Sequence, residues 1–167
     1  MKIISALLLI FIFSPSAFSQ DNSEGIRKAP NFKLEDLDGK TVELNSEIGD
    51  GPILISFWAT WCKPCLEELN EYKEIYSEYK DKGFKMFAVS TDNEKTVAKV
   101  KPFVKSKNYE FPVLLDTNSD IARLYYAQPV PYTVLVNKKG FIIYSHLGYM
   151  KGDEVKVKEI ISKEINK

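Results

Sequence analysis

The spacing of apolar and polar positions changes several times along the chain, and each change marks an element. Ile53 to Trp58 is a continuous apolar run broken only by Ser56, the pattern of a central strand buried on both faces. Downstream, Leu66, Leu69, Tyr72, Ile75, Tyr76 and Tyr79 recur at helical spacing with Glu and Lys between them, and Gly83 ends that helix. Lys85 to Ser90 reads as a second buried strand. Val97, Val100 and Val104 stripe another helix, which Pro102 must kink or begin. Phe111 to Leu115 reads as a short strand, and Ile121, Leu124 and Tyr125 line a short helix. Tyr132 to Val136 and Phe141 to Tyr144 flank Asn137-Lys138-Lys139-Gly140, which predicts a hairpin. Val157, Ile160, Ile161 and Ile165 face inward on a closing helix. Near the start, Phe32-Lys33-Leu34 and Thr41-Val42-Glu43-Leu44 form an earlier hairpin around Asp38-Gly39, followed by a turn at Gly49-Asp50-Gly51-Pro52. Strands that alternate with helices imply parallel pairing, and the late hairpin makes the sheet mixed. The expected class is α/β.

The first residues follow a different rule. Lys2 supplies a positive start, Ile3 to Phe13 is apolar except for Ser5, Ser14-Pro15 ends the run, and Ala17-Phe18-Ser19 offers small residues for cleavage. This is the pattern of a secretory signal, and the run is short for a membrane span. Residues 1–19 are therefore expected to be a signal peptide, 20–29 a polar linker, and 30–167 the folded domain. The expected destination is outside the cytoplasm, in the periplasm; the alternative is tethering by an uncleaved N-terminal segment. No cysteine lies near the cleavage point to carry a lipid.

Composition narrows the function. A chain of 167 residues suits one domain with a substantial core. Lys+Arg and Asp+Glu balance at 23 each, which argues against a nucleic-acid partner. The only two cysteines, Cys62 and Cys65, are two residues apart. A bridge that closes so short a loop removes little entropy from the unfolded chain, so stabilisation explains it poorly. Two cysteines and the single His146 also fall short of the four ligands of tetrahedral zinc. No metal or cofactor is expected beyond the cysteine pair itself, and His146 reads as a surface residue after a strand.

The remaining reading is redox chemistry. The run Trp61-Cys62-Lys63-Pro64-Cys65 lies where a strand passes into a helix. Free backbone N–H groups and the positive end of the helix dipole favour a thiolate at Cys62. Lys63 adds a positive charge one residue away, and Pro64 fits the first turn, where its missing N–H costs nothing. Cys65, one turn in, can reach back to Cys62. The implied cycle is attack by the Cys62 thiolate on a substrate disulfide, then resolution of the mixed disulfide by Cys65.

Phe57-Trp58-Ala59-Thr60-Trp61-Cys62-Lys63-Pro64-Cys65 after a buried strand resembles the thioredoxin superfamily. Ala29-Pro30-Asn31-Phe32 with the Asp38-Gly39-Lys40 hairpin, the stretch Glu110 to Asp116, Val130-Pro131-Tyr132-Thr133 and Asn137-Lys138-Lys139-Gly140 narrow the resemblance to its TlpA/ResA-like branch, over roughly residues 28–166. The resemblance implies a thioredoxin fold: a mixed central sheet flanked by helices, with an N-terminal β-hairpin and a central strand–helix insert around residues 106–127. It implies that Pro131 is the family's cis-proline and that the Val130 backbone pairs with the substrate chain. It also implies extracytoplasmic reductants, several of them serving cytochrome c maturation. Expected partners are disulfide-containing proteins and a membrane thiol donor, with the chain acting as a monomer.

Thioredoxin itself carries a buried aspartate before the motif, at the position that is Ser56 here. The TlpA/ResA branch often places an acid after the second strand instead, which makes Asp92 the candidate proton acceptor for Cys65, with Asn93 the alternative occupant of that slot; the other role of Asp92 would be to cap the next helix. Trp61 is expected on the docking surface and Trp58 in the core. Three other functions are weighed. A peroxiredoxin needs Thr or Ser three residues before its cysteine, where Ala59 stands. A copper-delivery protein of the superfamily spaces its cysteines three apart and adds a downstream histidine. A dithiol oxidase or isomerase would use the same site: Lys63 leans that way, and Pro64 leans towards reductants.

Overall fold

The computed structural model describes residues 27–167. The expected signal peptide and residues 20–26 of the linker lie outside the described residues.

The sheet is built outward from the run read as its centre. Strand β4 (Ile53–Trp58) is buried along its whole length and pairs in parallel with β5 (Lys85–Ser90) and antiparallel with β7 (Tyr132–Val136). Strand β6 (Val113–Leu115) pairs in parallel with β5, and β8 (Phe141–Leu147) closes the late hairpin with β7. The early hairpin, β2 (Lys33–Asp36) and β3 (Thr41–Glu43), joins beyond β6. With β1 (Arg27–Lys28) the order is β1-β8-β7-β4-β5-β6-β2-β3.

Because side chains alternate across a strand, β4 feeds two cores. Leu54 and Trp58 pack towards α2 (Lys63–Tyr79), α3 (Val100–Lys107) and α5 (Asp153–Ile165), together with both cysteines. Ile53, Ile55 and Phe57 pack on the other face, against Leu44 of α1 (Leu44–Glu47), Ala122 of α4 (Asp120–Leu124) and Tyr125. Ser56 belongs to the first face and is fully buried among apolar neighbours, so its hydroxyl needs a partner there.

Most expected boundaries hold within a residue or two. Gly83 adopts φ +85°, the left-handed conformation that stops the α2 segment after a short 3-10 turn at Lys80–Lys82. A second 3-10 turn at Val97–Lys99 precedes α3, so Pro102 falls in the first turn of the helix and breaks no hydrogen bond. Strand β6 starts at Val113, two residues later than expected.

Two expectations are corrected. The end of the polar linker joins the sheet: Arg27 and Lys28 pair with Ile142 and Phe141, the Ala29 N–H donates to the Gly140 carbonyl at 2.8 Å, and Ala29 is buried. Covering an open strand edge uses backbone groups, so polar side chains did not reveal it. Strand β8 also runs on to Leu147, which places His146 within the strand rather than after it. There His146 Nε2 lies 3.2 Å from Asp153 Oδ2.

Candidate active site

Strand β4 ends at Trp58, and the loop Ala59-Thr60-Trp61 delivers Cys62 to the N-cap of α2. The Cys62 N–H donates to the Ala59 carbonyl at 3.1 Å, and the Cys62 carbonyl accepts from Leu66 at 3.2 Å, which starts the helix. Cys62 Sγ accepts from the Cys65 backbone N–H at 3.3 Å, so the sulfur itself takes one of the donors that every helix leaves free in its first turn. The two cysteines form a disulfide with Cα atoms 5.3 Å apart. They differ in access: Cys62 is 6% exposed and Cys65 is 0%. Pro64 is the second residue of the helix. Lys63 is almost wholly exposed and sits 4.0 Å from Glu67, so its charge acts on Cys62 through solvent.

Trp61, next to Cys62, is 65% exposed, whereas Trp58 is completely buried and packs 5.7 Å from the ring of Phe103. Trp61 and Val130 line one open groove of about 310 Å³, together with Gln128 and Pro129. Val130 also packs against the core that holds both cysteines. The Val130–Pro131 peptide bond is cis, and so is Gln128–Pro129. The Gly148 N–H donates to the Pro131 carbonyl at 2.8 Å, which ties the loop to the end of β8. Among the described residues the backbone groups of Val130 have no backbone partner.

Asp92 follows β5 and is buried at the base of the loop that carries Cys62. Its Oδ2 accepts from the Thr60 backbone N–H at 2.8 Å and from the Ser90 hydroxyl at 3.0 Å; its Oδ1 accepts from the Thr60 hydroxyl at 2.6 Å. The carboxylate therefore straps the Ala59–Trp61 loop to the end of β5. It does not cap the next turn, since it is Asn93 whose carbonyl and side chain accept the Thr96, Val97 and Lys95 N–H groups.

A second buried carboxyl belongs to α2. Glu68 is one helical turn beyond Cys65 and is 1% exposed. Its Oε1 accepts from the Thr133 hydroxyl at 2.9 Å and the Tyr72 hydroxyl at 3.1 Å, and its Oε2 accepts from the Ser56 hydroxyl at 3.2 Å. Burial raises the Glu68 carboxyl to about 7, against the opposing pull of hydrogen bonds from Thr133, Tyr72 and Ser56. Sequence reasoning placed Glu68 on the polar side of the helical stripe. Two signals point to it: its spacing of three from Cys65 and four from Tyr72, which puts it on the inward face, and Ser56, a polar residue in a two-faced strand. Among the described residues no group of three or more His, Cys, Asp or Glu side chains could hold a metal ion.

A disulfide at the N-cap of the helix that follows the central strand, on this mixed sheet and beside a cis-proline loop, defines a thioredoxin-fold thiol–disulfide oxidoreductase. Residues 26–145 match the AhpC/TSA family, and the chain belongs to that family. It is 39% identical over 140 residues to the thiol-disulfide oxidoreductase ResA of Bacillus cereus, covering 83% of this chain and 77% of that protein. The solution structure of a thiol:disulfide interchange protein from a Bacteroides species superposes with a TM-score of 0.71 at 27% identity, covering 85% of this chain and 90% of the other. The ResA of Oceanobacillus iheyensis is 35% identical over 149 residues, covering 83% of this chain and 76% of that protein.

Proposed function

We propose that this oxidoreductase works outside the cytoplasm as a reductant of protein disulfides, with Cys62 as the attacking and Cys65 as the resolving residue. The observation that carries the assignment is the asymmetry of the pair. Cys62 stands at the helix N-cap beside exposed Trp61, while Cys65 is sealed in the core one turn from the Glu68 carboxyl. An attacking thiolate needs the positive helix end and access; a resolving thiol needs only to reach Cys62 and lose its proton.

In the reducing cycle the Cys62 thiolate attacks one substrate sulfur, the substrate S–S bond breaks, and a mixed disulfide forms. Cys65 then gives up its proton and attacks Cys62. The Cys62–substrate bond breaks, and the substrate leaves as a dithiol carrying both electrons. Glu68 takes the Cys65 proton, since a carboxyl that titrates near 7 is matched to a base working near neutrality. Asp92, with its oxygens engaged by Thr60 and Ser90, holds the Cys62 loop in place. The free Val130 backbone beside Pro131 and the face of Trp61 receive the substrate segment. The enzyme acts as a monomer on disulfide-containing proteins, apocytochrome c being one candidate class, and a membrane thiol donor recharges it.

Trapping tests the division of labour. Cys65→Ser accumulates mixed disulfides through Cys62, and Cys62→Ser does not; the reverse result makes Cys65 the nucleophile. The reduction potential of the couple tests direction. A value at or below thioredoxin's, about −270 mV, supports a reductant, and a value near that of a strong oxidant, about −120 mV, assigns the dithiol-oxidase role instead.

A further inference from the structure

The buried polar groups around Glu68 come from three separate elements. Ser56 lies on β4, Glu68 and Tyr72 on α2, and Thr133 on β7, and all four are buried. Besides the three hydrogen bonds into the carboxyl, the Tyr72 hydroxyl lies 3.2 Å from Thr133 Oγ1. The cluster thus has four contacts and three hydroxyl protons to fill them. With Glu68 ionised, the three hydroxyls all donate to it, and the Tyr72–Thr133 contact carries no proton of its own. A hydroxyl can donate or accept, whereas a carboxylate only accepts. One added proton on Glu68 supplies the missing donor: the carboxyl can turn its O–H to a neighbouring hydroxyl while Tyr72 turns to Thr133. The same heavy-atom positions therefore serve both protonation states.

We infer that Tyr72 and Thr133 are positioning residues for resolution: they hold the Glu68 carboxyl in a closed hydroxyl cluster that accepts the Cys65 proton and returns it without rearranging the core. The inference rests on the reading that Glu68 receives that proton. The step balances. As Cys65 Sγ forms its bond to Cys62 Sγ, the bond from Cys62 to the substrate sulfur breaks and that sulfur leaves with the electron pair. The Cys65 proton passes to Glu68 and later to solvent. Thr133 lies two residues beyond Pro131, which immediately precedes β7, so the strand that carries a partner of the carboxyl continues directly from the docking loop.

Other charged and titratable groups face the cluster. Asp153, at the start of α5 and 3.2 Å from His146, pushes Glu68 upward, as does burial. Tyr144 of β8 and Tyr149 after it both feel the Glu68 charge. Burial raises Tyr72 well above the ordinary phenol range, so it remains a proton donor throughout the working range.

The probe is a dithiobis-nitrobenzoate, which the reduced enzyme consumes in two phases. The first coloured thiolate appears when Cys62 attacks, and the second when Cys65 resolves the adduct. The second-phase rate is followed against pH in the unsubstituted chain and in Tyr72→Phe, Thr133→Val, Thr133→Ser and Glu68→Gln, each checked for its folded far-UV spectrum. Losing one hydrogen bond to a charged carboxyl should raise the midpoint by about one pH unit, which slows resolution at pH 7 by about fivefold. Tyr72→Phe and Thr133→Val show this shift, while Thr133→Ser, which keeps the donor, retains the original midpoint. If both midpoints stay in place while Glu68→Gln abolishes the transition, the positioning role is wrong and the Glu68 reading stands. If Glu68→Gln leaves the profile intact, the Glu68 reading itself falls. Thr133→Val and Tyr72→Phe alter different elements, so either one that folds carries the test.

Discussion

Asp92 binds the loop that leads into Cys62, Glu68 lies one helical turn beyond Cys65, and the donors to these two buried carboxyl groups differ in kind. Asp92 accepts a backbone N–H as well as two hydroxyls, all from residues that fix the Cys62 loop and the end of β5. Among the described residues Glu68 accepts only side-chain hydroxyls, from Ser56, Tyr72 and Thr133. A backbone N–H can only donate, so it pins its oxygen as an acceptor; a hydroxyl can reverse its role. Under the proposed function, one carboxyl acts as a strap and the other as a place to lodge a proton. Burial does not separate them, since each is 1% exposed. What separates them is that a backbone N–H pins one oxygen of Asp92 as an acceptor, whereas each partner given for Glu68 is a hydroxyl that can reverse its role.

Substitutions should pull this pair apart. The largest effect is expected on resolution: Glu68→Gln should slow the second thiolate release by on the order of a hundredfold at neutral pH, the scale of a lost general base, with the first phase little changed. An equal loss in both phases would mean that Glu68 serves the attack as well. The next effect is on stability against pH. The Glu68 carboxyl lies at about 7 in the folded chain against an ordinary 4.5, so the folded state holds a proton that the unfolded chain releases. This contribution is fully present below about pH 4.5 and is lost as pH rises to about 7, by roughly 3 kcal/mol. Glu68→Gln should remove that slope in denaturant titrations across the window, and an unchanged slope would contradict the raised carboxyl.

Asp92→Asn should act on the scaffold instead. It sets an amide where one donor or more must face it and should cost about 2 kcal/mol of stability, read as a lower denaturant midpoint. Thr60→Val removes the 2.6 Å hydroxyl contact but keeps the backbone bond, and should cost about 1 kcal/mol. The smallest effect belongs to Lys63→Ala. Its pair with Glu67 is exposed at 4.0 Å, so the unfolding midpoint should not move measurably.

The attacking side of the site was far more legible in sequence than the resolving side. Cys62, Lys63, Pro64 and Cys65 are adjacent, and a strand-to-helix switch is written in local periodicity, so their placement needs no long-range information. The Pro131 loop was legible through resemblance to a family. Glu68 was not, because an acid next to Glu67 on a helix rich in Glu and Lys looks solvent-facing, and only the packing of β4 and β7 against that turn reveals the hydroxyls waiting for it. Asp92 was singled out from sequence as a proton acceptor or a cap. The donors that occupy it come from Thr60, 32 residues away, and from Ser90, a pairing set by the parallel register of β4 and β5. Likewise β1 and the His146–Asp153 contact depend on backbone edges and register, which side-chain patterning does not encode.

The most direct test of the account compares the two carboxyls in one experiment: the second-phase rate against pH in Glu68→Gln and Asp92→Asn, beside the unsubstituted chain. A transition centred near pH 7 is expected in the unsubstituted chain and in Asp92→Asn, and its disappearance in Glu68→Gln. A transition that survives in Glu68→Gln and vanishes in Asp92→Asn would contradict it, and would make Asp92 the group that takes the Cys65 proton.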